Sequence, residues 1–306
     1  MHPAVPTNRT AVPARAARGL PRPARIALLL APALLIVVVF FGTGVAQAVA
    51  QSLGHQPYLA GTHWSLDAYR ALWTDPAVRA SLALTARIAV LPTLISAALG
   101  VVAALLIRRL GRSRSWVTGI FQANLAVPHL VGALCMLLLL SQGGVLSRLS
   151  HATGLTAGPA DFPALTNDRF GWAIIAEYVW KETPFLAVLA LAALGRGVDE
   201  LENAARVLGA RSWQRLVHIT LPVLIPAITG GSLLVFAFAA GSYEVPYLLG
   251  RPYPATLPVV SFQYYNATDL TSRPEAMAVA VLIAALTCAV AALYLTAAAR
   301  LTGRQL

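Results

Sequence analysis

Ile88-Ala89-Val90-Leu91-Pro92-Thr93-Leu94-Ile95-Ser96-Ala97-Ala98-Leu99-Gly100-Val101-Val102-Ala103-Ala104-Leu105-Leu106-Ile107 carries no charge over 20 residues and stops at Arg108-Arg109. At 1.5 Å rise per residue, a helix of this length matches the ~30 Å hydrocarbon core of a bilayer. Five further stretches reach spanning length: Ile26 past Ala46, Trp116–Leu140, roughly Gly171–Leu194, Val223–Leu249 and Ala276–Ala299. The alternating segments of about 10 residues that a membrane β-barrel requires are absent from the pattern. The predicted fold class is an all-α membrane protein with six transmembrane helices.

Composition agrees. Of 306 residues 58% are hydrophobic and 11% charged, against about 25% charged in ordinary soluble domains. That excludes a disordered chain, a coiled coil and a conventional water-soluble enzyme. The two cysteines, Cys135 and Cys288, lie in apolar runs, which excludes a disulfide framework or a multi-cysteine zinc site. The first apolar stretch follows an Arg-rich tail, and Ala46-Gln47-Ala48 resembles a signal-peptide cleavage site. Its uncharged run covers 41 residues, 26–66, well beyond the ~7–15 of a signal peptide's apolar core. A retained helix is therefore expected.

The net charge of +11 is unevenly distributed. Arg9, Arg15, Arg18, Arg22 and Arg25 precede the first span, and Arg108, Arg109, Arg112 and Arg114 follow the second. Arg196, Arg206, Arg211 and Arg215 lie between the fourth and fifth, and Arg300 and Arg304 follow the sixth. In a six-helix zigzag these 15 of the 23 basic residues share one side. The other side mixes Arg70, Arg79, Arg87, Arg148, Arg169, Arg251 and Arg273 with acids. Basic residues near span ends are retained in the cytoplasm, so both termini are predicted there. The basic excess thus reads as a topology signal that also meets anionic lipid, rather than a nucleic-acid surface. The expected layout is a Pro/Arg-rich tail (1–25), one membrane domain (26–299) and a short tail (300–306). Leu66–Trp73 reads as a short surface helix, and Ser141–Phe170 as a loop with one short helix.

The segment between spans four and five is longer than a turn requires: Asp199-Glu200-Leu201-Glu202-Asn203-Ala204-Ala205-Arg206-Val207-Leu208-Gly209-Ala210-Arg211-Ser212-Trp213-Gln214-Arg215-Leu216-Val217-His218-Ile219-Thr220-Leu221-Pro222. Acids precede good helix formers, which suits the positive end of a helix dipole. Ala205 and Gly209 share a helical face, where small side chains admit another surface. Gly209 is placed to end a short helix and Pro222 to start the next span. The spacing predicts a protruding helical element built for docking.

This segment resembles the EAA loop of binding-protein-dependent ABC importer permeases: Glu-Ala-Ala, three residues, Gly, nine residues, Ile, one residue, Leu-Pro. Ala204, Ala205, Gly209, Ile219, Leu221 and Pro222 match in register. Asn203 stands where the family usually has Glu, and Glu202 comes one position early. Trp180-Lys181-Glu182-Thr183-Pro184-Phe185 and Gly241-Ser242-Tyr243-Glu244-Val245-Pro246 are similar to the family as well. The resemblance implies a type I permease core in a bacterial inner membrane. Its loop would seat on a separate ABC ATPase, present in two copies. A second permease, identical or homologous, and an extracytoplasmic solute-binding protein complete the implied assembly. The helix-five pattern is closest to the branch that moves polyamines, iron, thiamine or phosphonates. The chain has no Gly-x-x-x-x-Gly-Lys-Ser/Thr phosphate loop, so an ATP site must come from a partner.

Charges inside apolar spans cost about 2.5–3.5 kcal/mol each on insertion scales and normally face a protein interior or an aqueous path. Glu177 and Lys181 are spaced i,i+4, the favourable order for a helical ion pair, with Glu182 adjacent. They either line the translocation path or tie helix four to a neighbour. Tyr243 and Glu244, between Gly241 and Pro246, are further path candidates, and Glu244 has no basic residue within a turn. His129 reads as a satisfied interior histidine. No residue cluster is spaced for a metal, a cofactor or nucleophilic catalysis. Two alternatives from other classes are a proton-coupled secondary transporter using Glu177 or Glu244 and a non-transport membrane scaffold. The inverted repeats that would favour the former are not visible.

Overall fold

The computed structural model describes residues 21–56, 63–111 and 113–302. The predicted basic tail thus lies almost entirely outside the described residues, as does most of the C-terminal one. The chain divides into two units, 1–47 and 48–306. The first is dominated by α1 (Arg22–Ser52), an apolar helix whose end belongs to the second unit.

In the second unit every element is helical among the described residues. The short α2 (Asp67–Thr74) precedes α3 (Pro76–Arg108), whose start is set by Asp75. That carboxylate accepts the Ala77 N–H at 2.8 Å, and Pro76 occupies a first-turn position where no N–H is needed. After α4 (Arg114–Leu125), α5 (His129–Leu140) and α6 (Val145–Ala152) comes α7 (Trp172–Ala193). Asp168 caps α7 by accepting the N–H groups of Phe170, Gly171 and Trp172 at 2.8–3.1 Å. The chain continues through α8 (Arg196–Val207), α9 (Ser212–Arg215), a π-helical turn at Leu216–Thr220 and α10 (Leu221–Gly241). It closes with α11 (Glu244–Leu249), α12 (Leu257–Tyr265) and α13 (Arg273–Thr302).

α7 is the hub: it packs along α3 and also meets α4, α5, α10 and α11. α3 and α7 approach closely at Gly100, where an added Cβ would lie 2.8 Å from Leu186 Cβ and 3.1 Å from the Ala187 backbone nitrogen. Near one end of the bundle Leu84, Ile88, Ala173, Ile174, Tyr178, Ala239, Val245 and Leu249 form a core. Near the other, Ala104, Ile107, Ala190, Leu191, Leu194, Val198 and Leu224 form a second. Along α7, Lys181 and Glu182 lie between the two groups. α12 is fastened to α3 by Leu257 N–H, which donates to Thr85 Oγ1 at 2.8 Å.

Five helical stretches among the described residues are long and apolar enough to cross a membrane: Arg25–Ser52, Pro76–Arg108, His129–Ala152, Ser212–Gly241 and Leu270–Thr296. α7, with its three charges, is not among them. Two expected spans are interrupted. The stretch 116–140 breaks at Ala126-Val127-Pro128, and 223–249 breaks at Ser242-Tyr243. In both cases a proline four residues later, Pro128 after Asn124 and Pro246 after Ser242, lacks the N–H for the i−4 carbonyl and clashes with it.

Candidate functional site

The 196–222 segment is built from local rules. α8 ends where Gly209 takes φ +85°, a left-handed conformation that costs a side-chain-bearing residue about 1–2 kcal/mol. Gly209 N–H then donates to Arg206 O (3.0 Å) and Ala210 N–H to Ala205 O (2.9 Å), closing a Schellman turn. Gln214 Oε1 accepts the Arg211 N–H (2.8 Å), and Arg215 donates to Ala210 O (2.8 Å), folding the chain back toward α10. Ile219 packs against the core that contains Leu224, while Leu221 and Pro222 open α10.

The loop's other face is open. Asn203 and Ala204 are exposed and Ala205 is half-buried. Val207 and Leu208 are each 87% exposed, with Leu201 exposed beside them. An apolar tip on an otherwise charged helix is a surface that a partner would bury.

Glu202 faces inward. It accepts from Arg108 Nη1 and Nη2, both at 2.9 Å, and from the Thr220 hydroxyl, while Asp199 accepts from Arg108 Nε (3.0 Å) and Nη2. Burial by itself raises the Glu202 pKa, but the hydrogen bonds from Arg108 and Thr220 and the charge of Arg108 outweigh it. The carboxyl is therefore held below the ordinary glutamate range. Arg108 stands 91 and 94 residues from its two acids. The sequence shows it only as one of several arginines flanking a span.

The second group surrounds α7. Lys181 does not pair with Glu177 as the i,i+4 spacing led us to expect. Its Nζ donates to the carbonyls of Asn124 (2.7 Å) and Val127 (2.6 Å), the acceptors exposed where α4 gives way to α5. His129, at the start of α5, sits between two carboxylates, its Nδ1 3.3 Å from Glu177 Oε1 and its Nε2 3.5 Å from Glu182 Oε1. Glu177 is fully buried, and Lys181 and Glu182 are also buried. These three side chains are thus turned into their own chain.

Tyr243 and Glu244 stand apart from that cluster. Glu244 is exposed in the first turn of α11 and has no ion pair among the described residues. The Tyr243 ring stacks on Tyr247 (5.0 Å between centroids) and tilts against Phe262 (4.3 Å). With Tyr265, Ser261 and Met277, Tyr243 and Phe262 line an open cavity of about 510 Å³.

The structure is thus an apolar helical bundle with a protruding loop stapled to it by Arg108. Residues 96–303 match the family described as binding-protein-dependent transport system inner membrane component, and the chain belongs to that family. It is 31% identical over 222 residues to the putrescine transport system permease protein PotI of Escherichia coli, covering 72% of each chain. It is 34% identical over 184 residues to a probable molybdenum ABC transporter permease protein of Haloferax volcanii, covering 60% of this chain and 62% of that one. The crystal structure of a bacterial ABC transporter that imports the acidic polysaccharide alginate shares the fold. Its TM-score is 0.76 at 20% identity, covering 92% of this chain and 97% of that one. The protein is therefore an inner-membrane permease component of an ABC importer, not an enzyme. ATP hydrolysis belongs to a separate subunit, and the permease works with a second permease and a binding protein.

Proposed function

We propose that the chain forms half of a translocation path for a small polar solute and receives the ATPase stroke through the 199–222 loop. The observation that carries this reading is the exposed α8 tip, Leu201, Val207 and Leu208, on a helix pinned to the bundle by Val198 and Arg108. Asn203, Ala204, Ala205 and Gly209 form the approach for the ATPase, while Glu202, Ile219, Leu221 and Pro222 seat the loop. Six spans are α1, α3, α4 with α5, α7, α10 with α11, and α13. At 22 residues α7 is about 33 Å long, enough to cross, and its Lys181 is answered inside the bundle by two backbone carbonyls. The skew of arginines toward 108–114 and 196–215 supports cytoplasmic termini flanking a 26–299 membrane domain.

Tyr243, half-buried, and Glu244, exposed in the single chain, are assigned to the path. Glu177, Lys181 and Glu182, buried in it, are assigned to holding α7 against the α4–α5 break. A proton-coupled mechanism at Glu177 or Glu244 has no observation in its favour. The relatives carry names as different as putrescine and molybdenum, so the transported solute follows from the binding protein. The test is reconstitution with the ATPase and binding protein in liposomes, with single cysteines at 73 and 208 labelled from each side. ATP-dependent uptake, with 208 labelled from the ATPase side and 73 from the opposite side, is expected. Uptake driven by a proton gradient without ATP, or both cysteines labelled from one side, would overturn the reading.

A further inference from the structure

α8 is a 12-residue helix with one apolar anchor, Val198, and an exposed tip. A push on that tip reaches the membrane helices only if α8 cannot swing on its two short connections, 194–195 and 208–211. Arg108 supplies the missing constraint. It is the last residue of α3, only 14% exposed, and its planar fork engages Glu202 through two nitrogens and Asp199 through two. A bidentate guanidinium–carboxylate contact fixes orientation as well as distance, which a flexible point charge does not. Thr220 joins from the other side, its hydroxyl donating to the same Glu202 oxygen that Arg108 Nη1 reaches. Thr220 is buried and immediately precedes α10. One carboxylate is thus held by the end of α3 and the beginning of α10.

We propose that Arg108 is a positioning residue for transport: through Glu202 and Asp199 it locks α8 to α3 and α10, so that displacement of α8 by the ATPase moves the membrane helices instead of being absorbed in the loop. The inward turn of Glu202 then has a purpose distinct from ATPase contact. Because Asn203 is neutral and Glu202 is committed to Arg108, the contact offered to the ATPase at this point is uncharged. This inference rests on the reading of 196–222 as the coupling loop.

The test uses the whole complex, purified with its ATPase and binding protein. Arg108→Gln should retain the ATPase subunits yet lower binding-protein-stimulated hydrolysis about tenfold, equivalent to about 1.4 kcal/mol. Amide hydrogen exchange over 196–207 should rise while α3 and α7 stay protected. Arg108→Lys should fall between, and the exchange of charges in Arg108→Glu/Glu202→Arg should recover part of what Arg108→Glu loses. Stimulated hydrolysis within twofold of wild type in Arg108→Gln overturns the proposal, as does unchanged exchange in α8. If Arg108→Gln does not assemble, Arg108→Lys decides by the same criteria. Loss of assembly in both, without recovery in the charge-exchanged pair, also overturns it. Leu208→Asp separates the underlying reading: it should release the ATPase, and if the ATPase stays bound, the docking assignment fails rather than the Arg108 lock.

Discussion

Replacing Lys181 with methionine keeps the length of the side chain and removes only the ammonium that closes the gap between α4 and α5. Two carbonyls lose a charged donor. That of Asn124 keeps the Val127 N–H at 3.1 Å. That of Val127 receives no backbone N–H among the described residues and relies on the ammonium at 2.6 Å. A hydrogen bond to a charged group contributes about 1.5–3 kcal/mol, and an acceptor left unpaired in the interior costs about 1–3 kcal/mol. Relief from burying the ammonium offsets part of this. The buried carboxyls of Glu177 and Glu182 add a cost, because only His129 remains beside them. The expected net loss is about 3 kcal/mol. At roughly 2–4 °C per kcal/mol for a chain of this size, the midpoint of thermal unfolding in detergent should fall by about 6–12 °C. Intrinsic fluorescence during heating reads it directly, with an Arg148→Gln surface variant as the control. A Lys181→Met midpoint within about 2 °C of wild type, together with reduced uptake, would refute the capping role and return Lys181 to the translocation path.

Three other outcomes follow from the same geometry. Glu244→Gln removes an exposed charge that has no ion pair among the described residues, so folding should be unchanged while uptake falls severalfold; normal uptake and normal solute-stimulated ATP hydrolysis would remove Glu244 from the path. Gly209→Val meets open space, so its effect is confined to the left-handed backbone and costs about 1–2 kcal/mol locally. It should weaken ATPase attachment without lowering the thermal midpoint of the bundle, as measured by co-purification and fluorescence. Glu202, whose folded pKa lies below the ordinary value, stabilises the seating of α8 above the ordinary glutamate range. That contribution is lost as pH falls through the depressed value. Hydrogen exchange over 196–207 should therefore stay slow at pH 5 and accelerate only at more acid pH, and Glu202→Gln should abolish that step.

Much of the architecture was legible because the bilayer is a simple solvent. A run such as 88–107 has one low-energy solution there, a helix that satisfies its own backbone, and that solution depends on no other part of the chain. The short helix at Asp67–Thr74, the helix ended by Gly209 and the start of α10 at Leu221-Pro222 followed from equally local rules. So did the exposed loop, since its resemblance rests on spacing within 24 residues.

Prolines mark the limit of that reading. Pro92, Pro184 and Pro226 lie inside unbroken helices, whereas Pro128 separates α4 from α5. The residue type is the same in all four, and at Pro128 Lys181 reaches from α7 to the Asn124 and Val127 carbonyls. The i,i+4 spacing of Glu177 and Lys181 points to a pair within one helix, but the ammonium donates instead to the carbonyls of Asn124 and Val127. Arg108 likewise looked like a topology signal until the fold brought Asp199 and Glu202 to it. The sequence alone determined the all-helical membrane class and the segment that protrudes, because apolar runs and turn geometry act on neighbouring residues. Only the tertiary structure decided how Lys181 and Arg108 are spent, because folding brought their partners from 54 to 94 residues away.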